Sequence, residues 1–245
     1  MGTISSSKTI DSISIPGTHD SGCDISTPWV QTQDLSIPRQ LNMGIRYLDI
    51  RCRHINNAFA IHHGEAYLNK NFNDVLLAVT QFLAQNPSET VLMRVKSEYT
   101  PTGNNRSFEN TFKMYRDRYA SFFWTYNNNN PTLGSIRGKI VVLQDFAGSL
   151  YGLDWSSFNI QDEYNVNYLP TKQSDVLTWY KKAATIKRII NHLSGVGFFQ
   201  PSSVANNINP YMKTLIINNN PRYVGIVPMD FPWNEDVFAV IRANY

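Results

Sequence analysis

The stretch Ile45-Arg46-Tyr47-Leu48-Asp49-Ile50-Arg51 is the one on which the fold is read. It has the residue types and spacing of a β-strand. Asp49 and Arg51 are two apart, so they share one face of that strand. Upstream, Ser12 to Ile15 alternates as a strand does and stops at Pro16-Gly17. Downstream, Phe59 to His62, Thr90 to Val95, Lys139 to Leu143 and Tyr223 to Val227 read as further strands, and Val196 to Phe199 as a seventh. Helical patterns sit between them. Asn73 caps one that runs from Asp74 to Leu83 and ends at Asn86-Pro87. Ser174 caps a longer one from Asp175 to about His192, stopped by Gly195. Alternating strands and helices imply an α/β protein with a mainly parallel sheet and helices outside it. The spacing predicts an irregular (β/α)8 TIM-type barrel, one domain over residues 1–245, with an open doubly wound sheet as the alternative. Neither a dinucleotide-binding glycine fingerprint nor a Walker A loop is present.

The 245 residues are 42% hydrophobic, 13% aromatic and 17% charged, enough apolar material for one sizeable core. That composition excludes a disordered chain, a collagen-like repeat and a disulfide-dense mini-protein. Two cysteines, Cys23 and Cys52, cannot build a four-thiolate zinc site; they are either a pair in a secreted protein or two free thiols. No apolar run reaches the roughly 20 residues that span a bilayer. The start lacks the apolar core of a signal peptide, so the expectation is a secreted protein whose leader is absent from this sequence, with a cytoplasmic one as the alternative. The net charge is +3, with lysines and arginines scattered. Without a basic stripe, nucleic acid is not an expected partner. A mild positive balance suits an anionic small substrate or an anionic lipid surface. A monomer is expected.

In a barrel, chemistry collects past the C-terminal ends of the strands. Those ends here carry Thr18-His19-Asp20-Ser21, Asp49-Ile50-Arg51, His62-His63-Gly64-Glu65, Arg94-Val95-Lys96-Ser97-Glu98 and Met229-Asp230-Phe231. Each alone has a structural explanation: a rim histidine, a buried ion pair, a helix cap. Together, two histidines, a carboxylate partner and a cationic pair at one mouth match general acid–base chemistry on a phosphate. Arg51 and Lys96 would project where a divalent ion would sit, which argues against a metal, and no cofactor is implied.

These residues, in this order, resemble the catalytic X domain of bacterial phosphatidylinositol-specific phospholipase C. The resemblance runs through Ser14-Ile15-Pro16-Gly17-Thr18-His19-Asp20-Ser21, Gly44 to Arg51, Ile61-His62-His63-Gly64, Asn86 to Thr90 and Met93-Arg94-Val95-Lys96. It continues through Arg137 to Val141, Gln161 to Val166, Pro221 to Gly225 and the ending Val240 to Asn244, which is nearly the whole chain. It implies an irregular β/α barrel and attack of the inositol 2-hydroxyl on the neighbouring phosphorus, giving a cyclic inositol phosphate and diacylglycerol. By that resemblance His19 is the general base, oriented by Asp230, and His63 the general acid, supported by Asp20. His63 is preferred over His62 because it directly precedes Gly64. Arg51, held by Asp49, stabilises the transition state in place of a calcium ion. Lys96 and Asp162 contact inositol hydroxyls, and Tyr164 lies under the ring.

One departure stands out. The family carries an inositol-binding arginine at the end of the strand that begins Arg137-Gly138-Lys139; here that position is Asp145. A carboxylate still accepts hydroxyl hydrogen bonds but repels ring phosphates. Trp29, Phe198 and Phe199 are the expected contacts with a membrane surface holding phosphatidylinositol. The competing readings are a related barrel phosphodiesterase on another phospholipid headgroup, a metal-dependent glycerophosphodiesterase or phospholipase D on a similar barrel, and a catalytically silent headgroup-binding module.

Overall fold

The computed structural model describes residues 1–25 and 27–245. In chain order the strands are β1 (Ile15–Thr18), β2 (Tyr47–Ile55), β3 (Ala58–His63), β4 (Ala66–Asn71), β5 (Val91–Ser97), β6 (Ile140–Asp145), β7 (Leu153–Asp154), β8 (Asn159–Gln161), β9 (Asn165–Val166), β10 (Ile189–Asn191), β11 (Val196–Gly197) and β12 (Ile226–Met229). The helices are α1 (Ile37–Met43), α2 (Phe72–Gln85), α3 (Phe108–Arg118), α4 (Leu133–Ile136), α5 (Leu169–Lys182), α6 (Pro201–Asn219) and α7 (Asn234–Arg242). A parallel path runs β7-β6-β5-β2-β1-β12-β10-β8. This is a curled, TIM-type sheet whose edge strands β7 and β8 do not pair among the described residues. β3 and β4 form an antiparallel hairpin hung on β2.

Strand parity divides the apolar side chains into two cores. Ile15, Tyr47, Leu92, Val141, Leu143, Ile190 and Ile226 pack together in the lumen. Leu48, Ile50, Met93, Val95, Val142 and Val227 pack outward with Val75, Leu76 and Val79 of α2 and Val237 and Val240 of α7. The register keeps the inward rows level: Tyr47 with Leu92 and Leu92 with Val141, then Arg51 with Lys96 and Lys96 with Asp145. Moving toward the C-terminal ends, each row passes from apolar to charged.

Three sequence expectations need correction. The helix expected over Asp175 to His192 is α5, which ends at Lys182, and Ile189-Ile190-Asn191 is barrel strand β10. The spacing of the isoleucines fits either period, but Ile190 has partners on both sides, Ile226 and Ile160. Arg188, at φ 55°, cannot continue a helix into it. The seventh strand, expected over Val196 to Phe199, is the two-residue β11, which pairs with β9 outside the barrel sheet. The helix α2 begins earlier than its expected cap at Asn73, with Asp74 accepting from the N–H of Asn71 at 2.8 Å. Cys23 and Cys52 are buried free thiols.

Gly17 in β1 is a point of close approach. A Cβ added there would lie 2.5 Å from Cδ1 of the fully buried Tyr47. Gly17→Ala should cost about 1–3 kcal/mol, because a packed lumen does not yield by that much. Equilibrium urea unfolding would register the loss as a lower midpoint; an unchanged midpoint would show that Tyr47 has room to move.

Candidate active site

The charged ends of the inward rows meet in one pocket of about 450 Å³, lined by His19, Arg51, His63, Arg94, Lys96, Glu98, Asp162, Tyr164 and Asp230, among others. His19 follows β1, and Asp230 follows β12, the strand β1 pairs with. His19 Nδ1 lies 2.9 Å from Asp230 Oδ1, and His19 Nε2 lies 2.7 Å from Arg51 Nη2. A guanidinium only donates, so Nε2 is the unprotonated nitrogen and Nδ1 carries the hydrogen given to Asp230. Burial, reinforced by the positive charge of Arg51, pushes His19 down to about 4. Its imidazole is therefore neutral at pH 7, with a free-base Nε2 turned to the pocket's cation. Burial also pushes the Asp230 carboxyl up.

Arg51 is held on its other sides by carboxylates. Its Nε and Nη2 donate to Asp49 Oδ2 at 3.2 and 3.1 Å, and its Nη1 lies 3.5 Å from Asp20 Oδ2. Burial would raise the Asp49 carboxyl, but the guanidiniums of Arg51 and Arg94 outweigh it and hold Asp49 well below the usual range. Asp20 is buried with no hydrogen bond to either carboxylate oxygen among the described residues, and burial pushes it up. His63 reaches the site from the β3–β4 hairpin, with Nδ1 3.0 Å from the Val30 carbonyl and 3.6 Å from Asp20 Oδ2. Val30, rather than Asp20, is the hydrogen-bond partner of His63 here. A chain of contacts thus joins the two histidines: His19, Arg51, Asp20, His63. His62 points elsewhere, buried beside Tyr67.

The backbone around the pair is strained and strapped. Asp20 and Phe231, each just after a site residue, adopt φ 44° and 43°. For a phenylalanine that conformation is costly. The loop after β1 compensates. Thr32 accepts from Phe231 N at 2.9 Å and donates from Oγ1 to Asp20 O at 3.0 Å. The buried Gln33 amide donates to the carbonyls of His19 and Met229 at 2.8 and 3.0 Å, tying the ends of β1 and β12 together.

The remaining expected residues lie as follows. Lys96 pairs with Glu98 at 2.7 Å. Asp162 lines the pocket 3.9 Å from His192 Nδ1, and Tyr164 stands 63% exposed at the rim. Asp145 is outside the lining, its carboxylate bonded to Arg94. Trp29 and Phe198 are exposed, while Phe199 is half-buried and packs against the outer core.

Several site residues had no assigned role from sequence. Arg94 stands among the strand-end residues with the parity of Lys96, but it carried no role there, and its place in the lining comes from the structure. His192, fully buried, packs edge-on to His19 at 5.8 Å, and burial holds it down to about 3. It was hidden by the helical reading of its segment. Lys172 of α5, buried and pushed by that burial down to about 8, donates to the Glu163 carbonyl at 2.7 Å, beneath the segment that carries Asp162 and Tyr164.

Comparison with known proteins places this geometry. Residues 8–145 match the family model described as phosphatidylinositol-specific phospholipase C, X domain. The 1-phosphatidylinositol phosphodiesterase of Listeria monocytogenes is 32% identical over 100% of this chain and 84% of its own length. The Staphylococcus aureus protein of the same name is 29% identical over 98% of this chain and 92% of its own. The solved Listeria phosphatidylinositol-specific phospholipase C superposes with a TM-score of 0.89 at 31% identity, covering 100% of this chain and 97% of that one. A Staphylococcus aureus structure reaches 0.91 at 28% identity, covering 100% and 96%.

The position of Arg51 makes the His19 titration testable. Removing a positive charge favours the protonated imidazole, so Arg51→Met should raise the His19 pKa from about 4 part of the way toward 6.5, with burial holding back the remainder. Nitrogen-15 NMR of the imidazole measures it directly, and a value that stayed put or fell would remove Arg51 as a cause.

Proposed function

Because the chain belongs to the phosphatidylinositol-specific phospholipase C X-domain family, we propose that it cleaves phosphatidylinositol to diacylglycerol and inositol 1,2-cyclic phosphate, without a metal ion. The observation that carries this reading is the hydrogen-bonded line Asp230–His19–Arg51, which sets a free-base nitrogen against a fixed cation in one pocket. In this reading the phosphate draws Arg51 toward itself, and the inositol 2-hydroxyl takes the place of Arg51 on His19 Nε2. His19 removes the hydroxyl proton as the oxygen attacks phosphorus, and Asp230 stabilises the imidazolium that forms. Arg51, oriented by Asp49, meets the charge that builds on the phosphoryl oxygens. His63, in its protonated form, gives its proton to the departing diacylglycerol oxygen, with Val30 and Asp20 steadying the ring.

The donor set supports chemistry without a metal. Asp20 and Asp49, the carboxylates that a divalent ion would need, face the Arg51 guanidinium instead. Peripheral contact with a membrane belongs to the same proposal. Trp29, Tyr168, Phe198 and Trp233 are exposed in segments that follow the C-terminal ends of β1, β8, β10 and β12, the end at which the pocket opens. Such side chains favour the headgroup region of a bilayer. No helix among the described residues is long and apolar enough to cross one. A secreted monomer made of this one barrel completes the reading.

Phosphorus NMR of detergent-dispersed phosphatidylinositol should show a cyclic phosphodiester that still forms in the presence of a chelator. His19→Ala and His63→Ala should each lower kcat/KM by roughly a hundred- to ten-thousandfold. Retained turnover in the purified, folded double variant would reject the histidine roles, and loss of activity with chelator alone would reject the metal-independent mechanism.

A further inference from the structure

The pocket holds a guanidinium that the proposed chemistry does not use. Arg94 lines it beside Arg51 and Lys96, with a side chain only 7% exposed. It is clamped on three sides. Nε and Nη2 donate to Asp145 Oδ2 at 3.0 and 2.7 Å, Nη1 donates to Asp49 Oδ1 at 3.2 Å, and the guanidinium lies 4.0 Å from the centre of the Trp155 ring. Of five N–H donors, three are engaged and two are left on the terminal nitrogens. A guanidinium fixed in this way loses little freedom when it takes a further acceptor.

We propose that Arg94 determines headgroup specificity, binding ring hydroxyls of inositol from β5, with Asp145 as its anchor. The proposal rests on phosphatidylinositol being the substrate. Asp145 stands at the end of β6, where the resemblance leads one to expect an arginine. Lys96 and Asp145 are register partners on adjacent strands, and Arg94 lies two residues before Lys96 on the same inward row. The cation of β5 thus has its counter-ion on the neighbouring strand β6. The charges fit the ligand as well. Asp145 and Asp49 balance Arg94, and Glu98 balances Lys96. That side of the pocket offers oriented donors with little excess positive charge, which suits neutral hydroxyls rather than ring phosphates.

The test is steady-state cleavage of detergent-dispersed phosphatidylinositol, together with inhibition by free myo-inositol. It compares the unaltered protein with Arg94→Ser, Arg94→Lys and the double variant Arg94→Ser/Asp145→Arg, after thermal melts have established folding. Arg94→Ser should raise both KM and the inositol inhibition constant roughly 10- to 100-fold, with a smaller change in kcat. Arg94→Lys keeps the charge but loses the fork, so it should weaken both in the same direction and serves where the serine variant does not fold. The double variant, with a guanidinium placed on β6 instead, should recover most of the loss. Unchanged KM and inositol inhibition in a folded Arg94 variant would overturn the proposal. So would a loss confined to kcat with a shifted acid limb, since Arg94 would then act only by holding Asp49. Absence of phosphatidylinositol turnover in the unaltered protein would overturn the substrate reading, and this proposal with it.

Discussion

The site depends on one buried cation. The Arg51 guanidinium is nearly withdrawn from water, and an unpaired charge there would cost several kcal/mol. Asp49 and Asp20 meet it, and His19 Nε2 receives one of its hydrogens. That last contact decides which imidazole nitrogen is free, so the proton on Nδ1 and the role of Asp230 as its acceptor follow from where Arg51 sits. Asp49 in turn is shared with Arg94, whose other carboxylate is Asp145. Cations and carboxylates thus alternate across β6, β5 and β2, and displacing one member leaves the next without its counter-ion.

Strand parity places these groups. On β2, Tyr47, Asp49 and Arg51 are successive inward positions; on β5 they are Leu92, Arg94 and Lys96; on β6 they are Val141, Leu143 and Asp145. The lower members form a close-packed apolar lumen, and above it Arg51, Arg94 and Lys96 line the pocket. A rigid apolar layer under the charges is what keeps them apart at fixed distances. The same parity runs through β1, β8, β10 and β12 and delivers His19, Asp162, His192 and Asp230.

Elements outside the parallel path supply the rest. His63 ends strand β3 of the hairpin, and Thr32 and Gln33 brace the backbone at His19 and Asp20 and on either side of Asp230. The left-handed turns at Asp20 and Phe231 are strained at the positions where the chain must leave its strand sharply enough to present a side chain to the mouth. Their hydrogen bonds to Thr32 hold them there.

By itself the sequence determined the α/β alternation, the inward pairing of Asp49 with Arg51 and the gathering of His19, His63, Asp230 and Lys96 at strand ends. Those follow from periods of two and of 3.6 residues, which need only neighbours along the chain. It did not determine that Ile189 to Asn191 is a strand, because three apolar-rich residues satisfy either period until Ile226 and Ile160 pair with them. Nor did it reveal Asp49 and Asp145 as the partners of Arg94, Val30 as the partner of His63, or Gln33 as the tie between β1 and β12. Each of those depends on a group more than 25 residues distant along the chain. Only tertiary structure brings such groups within hydrogen-bonding range, and only there does burial decide that a charge must find a partner.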